Sequence, residues 1–249
     1  MSPHFRPRDP TLEQFVLENN EVHVWLASLD RAAPVVQGLL KTLAPDERSR
    51  AERFYFQKDR DHFIVARGIL RAILSRYLET EPDQVRFYYA SYGKPELTKE
   101  FDSHGLRFNV SHSQGLALFA ITRNREVGVD LEEIRPGISS EEIAERFFSP
   151  QEVSVLRALP NDLQDEAFFN CWTRKEAYIK AKGEGLSMPL DTFDVSLVPG
   201  ESAALLSTKA EPQEASRWSL RELFPAPGFA AAIAVEGKDW QLKCWEWSE

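Results

Sequence analysis

The chain has 249 residues, 43% of them hydrophobic and 28% charged, with a formal net charge of −9. That length and apolar content support one large or two ordinary folded domains, while the acidic balance excludes a general affinity for nucleic acid, whose phosphates need clustered positive charge. No apolar run approaches the roughly 20 residues of a membrane helix and MSPHFRPRDP has no apolar targeting core, so a soluble, unexported chain without a membrane partner is expected.

Charge is unevenly placed: residues 1–122 hold 16 basic and 16 acidic side chains, which leaves 14 and 23 for the remainder. Within the neutral half, Arg48, Arg50, Arg53, Lys58 and Arg60 form a locally basic segment able to meet a small anion. Their acidic neighbours Asp46, Glu47 and Glu52 fit an ordinary solvated helix face equally well. From about Asp59 to Glu79, apolar residues recur at helical spacing. Three strand-like pieces follow, QVRFYYA, LRFNVSH and LALFAIT, with the turn YGKP between the first two. The short RNRE then joins LALFAIT to VGVDLEEI, which predicts a hairpin.

The second half opens on two helix-start signals, Ser139-Ser140-Glu141-Glu142 and Ser149-Pro150-Gln151-Glu152, both of capping-box form. A helix is expected from about Asp162 to Lys182, stopped by Gly183 in a left-handed cap. FDVSLVP, WSLRELF, GFAAAIAVEG and WQLKCWEW again read as strands. RFNVSHSQGLALFAIT and RELFPAPGFAAAIAVE share one pattern: a strand, a polar or proline-bearing turn, then an apolar strand. The predicted fold is therefore α+β, two similar halves (1–122 and 123–249) meeting across a cleft. Cys171 and Cys244, a lone and distant pair in no metal-like spacing, fit a reducing, cytoplasmic compartment.

In VGVDLEEI, an extended backbone sends Val129 and Leu131 to one face and Asp130 and Glu132 to the other, roughly 6.6 Å apart. A half-exposed strand with an acidic outer face would read the same. A third carboxylate shifts the balance, because on a helical wheel Glu176 falls within the apolar stripe of Phe169, Trp172 and Ile179. Burying it costs several kcal/mol unless it points into a pocket holding a cation. An i, i+4 pair with Lys180 would contribute only about 0.3–0.5 kcal/mol, too little to explain that placement. Asp130, Glu132 and Glu176 offer three hard oxygen ligands, which suit Mg²⁺ and a phosphate substrate; zinc is disfavoured without a Cys/His cluster.

The set YGKPEL (92–97), FNVSHS (108–113), GVDLEEI (128–134), RFFSPQE (146–152) and FNCWTRKEAYIKAKGEGLSMPLDTFDV (169–195), in this order and spacing, closely resembles the Sfp-type 4′-phosphopantetheinyl transferases. The likeness spans most of the chain. It implies two similar α+β halves and Mg²⁺-dependent transfer of phosphopantetheine from coenzyme A to a serine of an acyl or peptidyl carrier protein, releasing 3′,5′-ADP. By the same resemblance Asp130, Glu132 and Glu176 are metal ligands, and Lys180 contacts the phosphates and stabilises or protonates the leaving group. Lys94, Asn109, Ser111 and His112 match coenzyme A contacts, and Arg50 falls where the family has a base for the ribose 3′-phosphate; Arg67 is a further candidate there. Glu152 matches a glutamate proposed as catalytic base, against its competing place as third residue of a capping box.

The basic segment around Arg48–Arg60 departs from the family in length and charge placement. Two similar halves in one chain imply a monomer. Two rivals stand beside transfer: a catalytically silent relative that binds coenzyme A or a carrier, and an acyl hydrolase using Ser111 and His112. The second is weak, since adjacent residues on a strand point to opposite faces.

Overall fold

The computed structural model describes residues 5–7, 15–89, 93–135, 137, 140–183 and 185–248. In chain order the elements are β1 (Arg6–Pro7), β2 (Glu21–Ser28), α1 (Ala33–Leu40), α2 (Pro45–Ala51), α3 (Gln57–Leu78), β3 (Phe87–Tyr89) and β4 (Pro95–Leu97). They continue with β5 (Leu106–Ser113), β6 (Leu116–Arg123), β7 (Val127–Glu133), α4 (Ser140–Phe147), α5 (Pro150–Ala158) and α6 (Asn161–Lys182). The chain ends with β8 (Phe193–Val195), β9 (Leu205–Thr208), α7 (Glu214–Arg217), β10 (Trp218–Leu223), β11 (Phe229–Glu236) and β12 (Gln241–Glu246).

Two sheets, ordered β1-β12-β2-β6-β5 and β10-β11-β7, form the frame. Strand alternation builds the layers. Val22, Val24 and Leu26 of β2 meet Val127, Val129 and Leu131 of β7 and Ala231, Ile233 and Val235 of β11 in a core between the sheets. The opposite faces carry the long helices: Trp25 and Ala27 pack with α3, and Ala230, Ala232 and Ala234 with α6. The result is an α+β stack of helix, sheet, sheet and helix.

The internal likeness is real. Each half runs strand, 22-residue helix, hairpin, with β2-β6-β5 matched by β7-β11-β10. Both helices close on a left-handed residue, Glu79 (φ 52°) and Gly183 (φ 74°), the latter as predicted. Equivalent positions even repeat one buried ion pair. Arg71, fifteenth in α3, donates from Nε to Glu47 Oε2 at 2.7 Å, and Lys175, fifteenth in α6, sits 2.8 Å from Glu152 Oε2.

Two expectations need correction. LALFAIT and VGVDLEEI are not a hairpin: both edges of β6 are taken, by β2 and β5, so β7 crosses to the second sheet and pairs with β11. The boundary between halves at 122/123 also does not hold to the end of the chain. β12 returns to pair in parallel with β2, and its Trp245 stacks 5.0 Å from Trp25. Just beyond it, Trp247 lies under the Arg76 guanidinium at 4.7 Å. Of the predicted YGKP turn, Tyr92 lies outside the described residues, as does Ser139 of the first capping signal.

Candidate active site

The acidic strand is placed by a close helix approach. Gly128 of β7 faces the last turns of α6, where a Cβ would come within 2.1 Å of Ala177 O and 2.4 Å of Ala181 N. Only a residue without a side chain lets α6 lie that near the strand. Two residues on, Asp130 is 3% exposed, and Lys180 Nζ reaches its Oδ1 at 2.5 Å. The same ammonium donates to Ser111 Oγ at 3.2 Å and Val129 O at 3.4 Å.

On its other side β7 meets the inner face of β5, through side chains instead of a backbone ladder. Val129 N donates to Asn109 Oδ1 (2.9 Å), Leu131 N to Ser111 Oγ (3.3 Å) and Glu133 N to Ser113 Oγ (3.3 Å). The serine hydroxyls in turn donate to the carboxylates, Ser111 to Asp130 Oδ1 at 3.0 Å and Ser113 to Glu132 Oε2 at 3.2 Å. Asn109 and Ser111, expected as ligand contacts, are thus engaged at this seam. Ser113 escaped the sequence reasoning, although the alternation of polar residues in Asn-x-Ser-x-Ser marks the same face.

Glu176 is half-buried on α6, turned to the same acidic region. Loss of hydration, then the charges of Asp130 and Glu132, push its pKa up to about 7. Glu132 is raised by the same causes in the same order, desolvation before Asp130. Asp130 Oδ2 is buried with no hydrogen-bond partner among the described residues. The three carboxylates therefore feel one another and leave a hard oxygen unsatisfied, a donor set that fits a divalent cation. They are not drawn together as ligands: among the described residues no three His, Cys, Asp or Glu side chains stand close enough to hold one ion. Lys180, salt-bridged to Asp130, supplies the neutralising charge there.

A consequence for pH follows. A carboxyl whose folded pKa lies near 7 binds a proton between about pH 4.5 and 7 that the unfolded chain does not, so its stability cost is present above pH 7 and lost as pH falls. Glu176→Gln is expected to raise the melting temperature at pH 8 in chelator, by an amount that shrinks to nothing near pH 5. A gain independent of pH would contradict the shared field.

The other predicted contacts line a run of adjoining hollows. One of about 240 Å³ is bounded by Arg50, Phe63, Arg67, Val110 and His112. Another of about 250 Å³, sharing Val110, continues past Lys94 and Asn109 to Lys180 and Gly183. A third, about 560 Å³ beside Asp46, Arg53, Phe54 and Tyr89, shares only Arg50 with them; none of the three hollows is bordered by Asp130, Glu132 or Glu176, and the second comes nearest, at Lys180. His112 opens to solvent at the rim, yet crowding and then the Lys180 and His62 charges hold its pKa below the ordinary imidazole value. Lys94 points inward, donating to Lys180 O at 3.0 Å and Val127 O at 3.5 Å, and burial lowers its pKa.

Glu152 does not belong to this cleft. It is 2% exposed, and its oxygens accept from Ser149 N (2.9 Å) and Val195 N (2.8 Å) besides pairing with Lys175. With both oxygens committed inside the fold, the expected catalytic base is a structural anchor.

The chain is similar in sequence to known proteins. The family model "4′-phosphopantetheinyl transferase superfamily" covers residues 126–234, and "4′-phosphopantetheinyl transferase, N-terminal" covers 32–124. The 4′-phosphopantetheinyl transferase HetI of Nostoc sp. is 46% identical over 97% of this chain and 97% of its own. The 4′-phosphopantetheinyl transferase Sfp of Bacillus subtilis is 37% identical over 62% of this chain and 66% of its own. The Helicobacter pylori holo-[acyl-carrier-protein] synthase in complex with coenzyme A aligns with 45% of this chain and 99% of its own, at TM-score 0.35 and 21% identity. With one relative 46% identical over 97% of it and both family models matching in turn, the chain belongs to the Sfp-type 4′-phosphopantetheinyl transferase family.

Proposed function

We propose that this chain transfers 4′-phosphopantetheine from coenzyme A to a serine of an apo acyl or peptidyl carrier protein, with Mg²⁺ held by Asp130, Glu132 and Glu176. The observation that carries this reading is the unsatisfied, desolvated acidic face joined through Lys180 to a run of hollows with basic residues in their walls. Arg50 and His112 are suited to the 3′-phosphate of the donor, and the hollow past Lys94 to the pantetheine arm. The bound cation would screen the pyrophosphate charge and polarise its oxygens.

The serine hydroxyl attacks the phosphorus that bears the pantetheine, forming a new P–O bond. Glu176, beside that cation, is proposed to accept the serine proton through its carboxylate. The P–O bond to 3′,5′-ADP breaks, and the Lys180 ammonium neutralises or protonates the departing oxygen. Most of the rate enhancement then comes from positioning and electrostatics. Two halves in one chain supply both walls of the cleft, which makes a monomer sufficient. Among the described residues no helix is long and apolar enough to cross a membrane.

The test is incubation with a purified apo carrier protein, coenzyme A and Mg²⁺, read by intact mass. Carrier gaining the phosphopantetheine increment, with chelator abolishing it, is the expected result. An unmodified carrier would mean a silent binder, and transfer indifferent to chelation would remove the metal.

A further inference from the structure

The three polar side chains of β5 repeat one unit. Residue 109 bonds the N–H of 129, 111 that of 131 and 113 that of 133, a constant separation of 20, so the strands run alongside each other in step. The other edge of β7 is occupied by β11, and without β5 these three N–H groups would be left unpaired beside the cleft. Each serine works in two directions, its oxygen accepting from the backbone while its hydrogen goes to the preceding carboxylate. The two carboxylates are held unequally. Asp130 has Ser111 and Lys180, whereas Ser113 is the hydroxyl that holds Glu132.

We infer that Ser113 is a positioning residue that fixes the Glu132 carboxylate toward the cation, acting as the outermost clip of a row that sets the register of β7 against β5. The inference rests on the proposed metal role of Glu132. A carboxylate tied by one donor keeps its other oxygen aimed, and loss of such an outer partner typically weakens metal binding 10–100-fold. Ser113→Ala removes the donor to Glu132 and the acceptor for Glu133 N; threonine restores both.

The experiment is titration of the metal-free protein with Mn²⁺ by calorimetry, for wild type, Asp130→Asn, Ser113→Ala, Ser113→Cys and Ser113→Thr, each first checked for an unchanged melting transition. The expected result is a Mn²⁺ dissociation constant about tenfold weaker in Ser113→Ala, near wild type in Ser113→Thr. In the transfer assay the concentration of Mg²⁺ for half-maximal rate should rise in proportion, with kcat at saturating metal changed less than about threefold. Should alanine unfold the chain, cysteine, which keeps the volume and weakens the donor, carries the same prediction. Mn²⁺ binding equal in Ser113→Ala and wild type overturns this inference and leaves the metal reading intact. Wild-type binding unaffected by Asp130→Asn, or no binding, overturns both.

Discussion

Replacing Gly128 with alanine is expected to lower transfer about 100-fold and to destabilise the fold by about 1–3 kcal/mol. The added methyl would stand 2.1 Å from Ala177 O and 2.4 Å from Ala181 N, both backbone atoms, so no rotamer change relieves the clash. Helix α6 must move off β7, and it carries Glu176 and Lys180. The first half shows what a larger residue does at such a contact. There His23 of β2 bonds Tyr77 OH at 2.7 Å, and Tyr77, like Ala181, is the twenty-first residue of its helix. A bulky pair spaces α3 from its strand; glycine and alanine bring α6 in. Thermal melts and steady-state rates of Gly128→Ala check this, and a variant with wild-type kcat would show that helix depth is not what places the lysine.

The other large effect concerns Glu152. Removing one partner of a buried ion pair leaves an uncompensated charge, at a cost of about 3–5 kcal/mol. Lys175 has 0% side-chain exposure and cannot turn to water, while Ser149 N and Val195 N lose their acceptor as well. Glu152→Ala should therefore lower the melting temperature by on the order of 10 °C. The double change Glu152→Met with Lys175→Met should recover the part due to the stranded charge but not the part due to the backbone groups of Ser149, Val195, Leu190 and Phe193 left unpaired. The milder Glu152→Gln should keep kcat within a few-fold while it remains folded. A collapse of kcat with an unmoved melting curve would restore this residue to the chemistry.

What the sequence displayed was local. The long helices were legible from periodicity to within two residues at each end, and the box at Ser149 appeared as written, its Oγ accepting from Glu152 N. Strand β2 went unseen because EVHVWLAS is buried on both faces and has no alternation to detect. That Glu176 would turn toward Asp130 and Glu132 was legible because it broke an apolar stripe; the pairing of Lys180 with Asp130 was not foreseen. The partner of Glu152 went unseen: Lys175 directly precedes Glu176, and nothing in the sequence marks it as buried. The β5 to β7 seam was hidden for a different reason: it joins side chains to backbone, so hydropathy carries no trace of it. The mistaken hairpin came from trusting a short connection over the question of which strand edges were free.

The two halves repeat the same frame without repeating the acidic site. Where the second repeat offers Glu176 and Lys180, the first has Ala72 and Arg76, sixteenth and twentieth in their helices, with Arg76 lying on Trp247. Trp247 covers that position and is held by its N–H donating to Leu26 O at 2.7 Å. At these two helix positions the repeats therefore tolerate change unevenly: the first must satisfy packing against Trp247, whereas the second must satisfy charge.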